Sequence, residues 1–172
     1  MRTLVVYESM FGSTRLVAEA IARGAADAGE AQALPVARAD AEDLTGYDLV
    51  VVGGPTHLHG MSRPSSRRGA EQTAAKPGAD ETLEPGATET GVREWLSTLP
   101  SVHGRAAAFD TRRHAPALLT GRASNGIGKG LRHRGYDLVA ESESFLVDKK
   151  SCLEPGEEAR AEQWGRALAG TR

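Results

Sequence analysis

The sequence predicts an α/β fold: a doubly wound sheet of five parallel strands in the order 2-1-3-4-5, with helices on both faces. Strand-like and helix-like runs alternate along the 172 residues, which is typical of this class. Residues 48–52 contain a continuous apolar run from Leu49 to Val52, which indicates a strand buried on both faces. We expect one domain spanning residues 1–172, because this length suits a single sizeable core.

The amino-terminal part of the chain contains the first three predicted strands. Residues 4–7 form the first, residues 34–36 form a weak second, and residues 48–52 form the third. One helical turn is predicted near residues 41–44. Between the first two strands, apolar residues at helical spacing predict a helix that ends before Gly29, and these residues are Val17, Ala20, Ile21, Ala25 and Ala28.

The carboxyl-terminal part supplies the other two strands and three helices. A helix with apolar side chains at positions 92, 95, 96 and 99 precedes residues 106–109, the fourth strand. A helix around Ile127 and Leu131 leads to residues 138–147, the fifth strand region. A final helix begins at Pro155, a residue type favoured at the first helical position.

Residues 61–88 interrupt this alternation and are predicted to be a polar loop insert. They carry few aliphatic side chains and many turn-forming residues, so we expect no helix of normal length there. The favoured interpretation is a solvated, mobile segment. The alternative is a lid or partner-contact loop, in which Arg63, Arg67 and Arg68 contact an acidic partner.

Composition excludes several classes of partner. The chain has 21 basic and 23 acidic residues, so no net positive field favours nucleic acid. We expect no membrane insertion, because no apolar stretch approaches the length of a spanning helix. The single Cys152 rules out an internal disulfide, and no charged-then-apolar leader precedes the first strand. A cytoplasmic location is therefore expected.

The loop after the first strand has the composition of an anion-binding site. A strand, a tight turn and a helix amino terminus direct backbone N–H groups and a positive dipole end at one point, which suits a phosphate. The loop lacks the Lys of triphosphate-binding loops and the three glycines of the dinucleotide fingerprint, so it favours a mononucleotide phosphoester. The alternative is an ordinary turn in which Ser13 or Thr14 caps the helix. The loop is Ser9-Met10-Phe11-Gly12-Ser13-Thr14.

Two further loops are predicted at the same edge of the sheet. The second follows the third strand and the third follows the fourth strand, and the carboxyl ends of parallel strands share one edge. Three loops therefore converge on one flat crevice. The second loop is Gly53-Gly54-Pro55-Thr56-His57-Leu58-His59-Gly60, and the third is Asp110-Thr111-Arg112-Arg113-His114.

On these two motifs the chain resembles the flavodoxin-like family. The first loop is similar to the family's FMN phosphate loop, and Gly54-Pro55-Thr56-His57 is similar to the loop that borders the isoalloxazine ring. Both loops also resemble those in the flavodoxin domains of flavodiiron proteins. The resemblance covers nearly the whole chain in element order, apart from residues 61–88.

The resemblance implies a flavoprotein that holds FMN and passes electrons between a protein donor and a protein acceptor. It implies that Arg112 stabilises negative charge at the pyrimidine end of the reduced ring. His57 or His59 is a candidate general acid near the reactive nitrogen of the ring. The implied FMN-binding residues are Ser9, Met10, Phe11, Gly12, Ser13 and Thr14 at the phosphate, Pro55, Thr56, His57, Leu58, His59 and Gly60 beside the ring, and Asp110, Thr111 and Arg112 at the pyrimidine end.

Several departures from the family pattern keep alternatives open. The second and third loops contain no Trp or Tyr to stack on the ring. Leu58 stands about where many members have Gly, and a positive φ costs a non-Gly residue about 1 kcal/mol or more. One alternative is therefore a flavin-free binding module, and another is an FMN-dependent quinone-type reductase. A metal site at His57 and His59 is a minor alternative, because neither Cys nor carboxylate lies nearby in the sequence.

Overall fold

The computed structural model describes residues 1–40, 42–79 and 81–171, and within them a parallel sheet forms the centre of the fold. Parallel pairing gives the order β2-β1-β3-β5-β6, β7 continues the pairing along β5, and β4 pairs antiparallel with the end of β3. The strands are β1 (Arg2–Tyr7), β2 (Glu30–Pro35), β3 (Leu49–His57), β4 (Gly60–Met61), β5 (Gly104–Arg113), β6 (Tyr136–Leu138) and β7 (Glu143–Val147).

The predicted fold class and strand order are confirmed. The fourth predicted strand is the middle of β5, and the fifth predicted strand region contains both β6 and β7. Two strands are longer than expected, because β3 continues through His57 and β5 continues through Arg113. The second and third loops therefore begin as ordered strand, which holds their first residues in register with one another.

Helices cover both faces of the sheet. One face packs against α1 and α7, and the other against α4 and α6. Residue 41 of the helical turn predicted near 41–44 lies outside the described residues, and a 3₁₀ turn occupies Leu44–Gly46. The helices are α1 (Ser13–Ala25), α2 (Val36–Ala39), α3 (Pro64–Ala74), α4 (Val92–Thr98), α5 (Ala117–Thr120), α6 (Ala123–His133) and α7 (Glu157–Gly170).

Helices α1 and α7 lie so close together that only glycine fits where their backbones meet. A Cβ on Gly24 would lie 1.9 Å from the carbonyl oxygen of Glu162, and one on Gly165 would lie 2.2 Å from that of Ile21. Backbone-to-backbone contact of this kind fixes the position of α1 on the sheet. The amino terminus of α1, which follows the first loop, is thereby held in place at the edge of the sheet.

The expectation that residues 61–88 contain no helix of normal length is wrong for their first half. Pro64–Ala74 form α3, which has 11 residues and begins with proline in its first turn. The helix is anchored by a charged side chain instead of an aliphatic face, because Arg67 is 2% exposed. Arg67 is thus unavailable to an acidic partner, whereas Arg63 and Arg68 are exposed.

Candidate functional site

The three predicted loops converge on a crevice of about 750 Å³ at the carboxyl edge of the sheet. Each loop contributes to its lining, as expected from the shared sheet edge. The first loop supplies Met10, Phe11, Ser13 and Thr14, the second supplies Pro55, Thr56, His57 and Leu58, and the third supplies Thr111, Arg112 and Arg113. Five of the predicted site residues lie outside this lining, and they are Ser9, Gly12, His59, Gly60 and Asp110.

The first loop presents backbone N–H groups at the end of α1. Gly12 precedes the helix with a φ of 99°, a left-handed conformation suited to glycine, and its carbonyl accepts the first helical bond from Leu16 at 3.0 Å. The N–H groups of Ser13, Thr14 and Arg15 therefore precede the first intrahelical bond. None of the residues that the structure describes accepts a hydrogen bond from them. Unpaired amides at a helix amino terminus suit an anion, so this turn is a candidate anion site.

The hydroxyls of this loop bond to the protein. Ser13 Oγ donates to the carbonyl of Ser151 at 2.5 Å, and the hydroxyls of Thr14 and Thr111 lie 2.7 Å apart. Ser9 Oγ accepts from the N–H of Gly12 at 3.2 Å. The hydroxyls therefore shape the loop, and the unpaired donors at this point are backbone amides.

A carboxylate that the sequence did not reveal also lines the crevice. Oε1 of Glu81 accepts a hydrogen bond from Ser151 Oγ at 2.6 Å, and both residues lie on the crevice wall. Ser151 in turn accepts from Ser13 of the first loop. Glu81 is thus placed within reach of the anion site, where its negative charge opposes a bound anion. No local pattern in the sequence marks Glu81 for this position.

The second loop is a tight hairpin with an unusual backbone. Leu58 and His59 have φ values of 45° and 74° between the antiparallel pair His57 and Gly60. Two positive φ values in a two-residue turn are typical of the type I′ hairpin, which normally uses Asn and Gly. The predicted cost of a positive φ at Leu58 is thus already present in the folded protein, and its side chain is 89% exposed.

Asp110 does not face the crevice. The side chain is fully buried, and Oδ2 accepts the N–H of Ser124 at 2.8 Å at the start of α6. Thr56 Oγ1 accepts the N–H of Ala123 at 2.9 Å, so two predicted site residues cap this helix. Burial raises the pKa of Asp110, against the opposing effect of the hydrogen bonds from Ser124. The predicted contact of Asp110 with a bound ring is therefore not supported.

Arg112 brings a positive charge to the crevice. Its Nη1 donates to the carbonyl of Ala115 at 2.6 Å and lies 3.4 Å from Thr120 Oγ1. Its Nε is buried and has no partner among the described residues. No described carboxylate forms an ion pair with Arg112. A guanidinium without an ion-pair partner here can attract negative charge on a ligand.

The histidines occupy different environments. His57 lines the crevice, and burial lowers its pKa, with a further decrease from the charge of Arg67. His59 is exposed and forms a bridge with Gly121, outside the lining. His114 is exposed and lies 2.8 Å from Glu154 Oε1. Among residues 1–40, 42–79 and 81–171, no group of three or more His, Cys, Asp or Glu could hold a metal ion.

One wall of the crevice comes from α3, which the sequence interpretation missed. Small side chains of this helix face the crevice. The sequence does contain a pattern that indicates this helix face, because four of these residues stand at i, i+3, i+4 and i+7. The only aromatic rings that line the crevice in the described part of the chain are those of Phe11 and His57. The lining residues of α3 are Ser65, Ser66, Gly69, Ala70 and Thr73.

A buried ionic cluster holds α3 against the sheet. Glu8, which directly follows β1, accepts hydrogen bonds from Ser62 Oγ and from the N–H of Val92. Arg67 donates to Ser62 Oγ at 2.9 Å and pairs with Glu94 at 3.0 Å. Burial raises the pKa of Glu8, and its hydrogen bonds and Arg67 oppose this increase. The cluster connects the strand before the first loop to the helix that walls the crevice.

Known proteins resemble this chain in the sequence of its first half and in fold. The Flavodoxin family model matches residues 5–73, which contain the first and second loops. The structure is similar to that of a flavodoxin from the domain Archaea, with a TM-score of 0.65, 19% identity, and coverage of 98% of this chain and 96% of that chain. It is also similar to a flavodoxin from Streptococcus pneumoniae TIGR4, with a TM-score of 0.65, 18% identity and 100% coverage of both chains. No curated protein sequence matches the chain significantly.

The chain has a flavodoxin-like fold. The predicted likeness to flavodiiron proteins also holds at the level of fold. The Flv1 flavodiiron core from Synechocystis sp. PCC6803 matches with a TM-score of 0.57 and 18% identity, and the match covers 98% of this chain but 35% of that one. In the part of the chain that the structure describes, no helix is both long and apolar enough to cross a membrane.

Proposed function

We propose that this flavodoxin-like protein binds FMN without a covalent bond and passes electrons between a protein donor and a protein acceptor. The observation that carries the proposal is the set of unpaired amides of Ser13, Thr14 and Arg15 in the first turn of α1, because Ser13 and Thr14 line the crevice. A pocket of about 750 Å³ lies within the range of cofactor sites.

The residues present fit the two ends of FMN. Neutral amides at a helix amino terminus suit a terminal phosphate, and Arg112 of the third loop adds a positive charge to the crevice lining. Apolar surface for a ring comes from side chains such as Met10, Phe11 and Pro55. Two of the predicted FMN contacts are not retained in the proposal. Asp110 accepts a hydrogen bond from α6, and His59 lies outside the crevice lining.

Bound FMN would supply the redox chemistry, and the protein would supply position and charge. In this role Arg112 stabilises a negative ring and so favours the reduced flavin. His57 stays largely neutral near pH 7, because burial lowers its pKa. It therefore acts as a hydrogen-bonding group beside the ring, and its role as a cationic acid is weakened.

A flavin-free binding module is the second candidate, and one observation favours it. Glu81 places a carboxylate on the crevice wall, and the hydroxyls of Ser13 and Thr14 already have protein partners. Both features reduce the affinity for a phosphate below that of an open loop. The amides of the loop nevertheless have no partner in the described residues, which keeps FMN the better fit.

The test is a titration of the flavin-free protein with FMN and with riboflavin, followed by quenching of flavin fluorescence. FMN should bind at least about tenfold more tightly, because each charge-assisted bond to the phosphate contributes roughly 1.5–3 kcal/mol. Equal affinities for FMN and riboflavin would contradict a phosphate site in the crevice. Absence of binding by either flavin would support the flavin-free module. Reduction of the bound flavin by NADH alone would favour the quinone-type reductase over the carrier.

A further inference from the structure

The large apolar side chains that the described residues expose are concentrated at one place. Leu58 is 89% exposed, Leu118 is 93% exposed and Leu119 is 66% exposed. Leu58 lies in the hairpin turn of the second loop, and the other two lie in α5, which follows the third loop. Exposed apolar side chains that cluster in this way mark interaction surfaces.

Contacts between the backbones hold these two segments side by side. His59 and Gly121 form a bridge, and a Cβ on Gly121 would lie 2.2 Å from the carbonyl oxygen of His59. Gly121 follows α5 directly and donates its N–H to Ala117 at 2.8 Å. The hairpin turn and α5 therefore form one continuous rim beside the crevice.

The two chain segments that form this rim carry only basic charged residues. Residues 49–70 and 111–136 contain no Asp or Glu, although the whole chain has a net charge of -2. Arg113 and Arg122 flank α5 and are exposed, and no described carboxylate pairs with either. Arg63 is also exposed at the start of α3. Acidic residues are thus absent from the two segments that form the rim, although Glu81 lines the crevice and Glu154 lies 2.8 Å from His114.

We propose that the rim patch, defined as Leu58, Leu118, Leu119, Arg113 and Arg122, is the docking surface for an acidic redox protein. The inference rests on the proposed function for its redox role, because a partner on this rim is adjacent to the crevice where electrons would leave the flavin. Apolar anchors ringed by charge match the anatomy of protein interfaces. A protein fits better than a membrane surface, because α5 has only four residues and offers little apolar area for insertion.

The experiment uses two probes that differ in charge alone: cytochrome c, and the same protein succinylated so that its lysines carry carboxylates. Binding of each probe to the full chain is measured by calorimetry at low and high salt, with no need for flavin. In a second arm, FMN-loaded protein is reduced anaerobically with dithionite, and the reduction of haem is followed. Each ferric haem takes one electron, so one two-electron-reduced flavin reduces two haems.

The variants separate the rim patch from general charge. Arg122→Glu and the pair Leu118→Ser with Leu119→Ser change the rim outside the crevice lining. Arg132→Glu is the matched control, because it makes the same charge change at an exposed position about 15 Å further along α6. Melting temperatures of all variants confirm that they fold.

The proposal expects the succinylated probe to bind and react faster, with a preference that decreases as salt rises. Arg122→Glu should reduce its association rate about threefold to tenfold, and Arg132→Glu should leave it unchanged. Equal behaviour of the two probes, or equal effects of the two charge reversals, would overturn the proposal. A membrane surface would replace the acidic protein as the partner if three results came together. The chain would bind vesicles with 30% phosphatidylserine, the double substitution Leu118→Ser with Leu119→Ser would abolish that binding, and the two probes would behave alike. Failure to take up FMN would refute the proposed function but leave the binding arm decisive.

Discussion

Nη1 of Arg67 lies 3.9 Å from Oε1 of Glu8, and both side chains are buried. This pair joins α3 to the end of β1, just before the loop that presents the unpaired amides. Gly91 makes room for the cluster, because a Cβ there would lie 2.3 Å from Nη1 of Arg67. The wall of the crevice is therefore held by buried charge.

Removal of Arg67 should destabilise the protein strongly. We expect Arg67→Met to lower the free energy of unfolding by about 3–5 kcal/mol, because Glu8 stays buried without its cation. Arg68→Met is the control, since Arg68 is exposed on the same helix and should change stability by less than about 0.5 kcal/mol. Urea unfolding measures both values. Similar effects of the two substitutions would show that the buried pair contributes little.

The hairpin turn carries strain that a substitution can relieve. Leu58→Asn should raise the free energy of unfolding by about 0.5–1 kcal/mol, because asparagine tolerates a positive φ better than leucine. Leu118→Asn is the control, since Leu118 is equally exposed but lies in α5. Thermal unfolding distinguishes them, and a melting temperature that falls for Leu58→Asn would contradict the strain.

Glu81 should limit the affinity of the crevice for a phosphate. We expect Glu81→Gln to tighten FMN binding about threefold to tenfold at low salt, because the repulsion of two anions is removed while the bond from Ser151 is kept. Riboflavin binding should stay unchanged, since riboflavin has no phosphate. The comparison is a fluorescence titration of both ligands at two salt concentrations. An equal gain in affinity for riboflavin would show that Glu81 does not act through the phosphate.

Asp110 should make stability depend on pH. Its folded pKa is raised by burial above the unfolded value of about 3.9, so its contribution is complete below that value and is lost as pH rises through the folded pKa. Asp110→Asn keeps an oxygen that can accept the N–H of Ser124. Because the amide does not ionise, the variant should not lose this part of its stability as pH rises. The stability of wild type relative to the variant should therefore fall as pH rises above about 4. Urea unfolding from pH 4 to 8 checks this, and a constant difference would contradict the raised pKa.

Part of the fold and site was predictable because it depends on local pattern. The apolar run from Leu49 to Val52 and the loop from Ser9 to Thr14 predict a buried strand and a helix amino terminus from adjacent residues. The order of the strands followed from the right-handed connection of such units. The crevice then followed, because parallel strands end at one edge.

Helix α3 was not predictable from aliphatic content, because its anchor is Arg67 paired with Glu8 and Glu94. These partners are far apart in the sequence, and charged residues are normally expected at the surface. Asp110 was assigned to the crevice from its position after a strand, yet its carboxylate caps α6. Helix capping across the sheet is a tertiary contact that spacing does not reveal.

The amino-acid sequence by itself determined the α/β class, the strand order and the three loops that meet at one edge, since each follows from periodicity and from the short-range chemistry of turns. Only the tertiary structure decided which of these residues face the crevice, that Glu81 lies within reach of the anion site, and that Leu58 shares a rim with α5. The physical reason is that side-chain direction, burial and pairing depend on neighbours distant along the chain, and these neighbours come together only in the folded state.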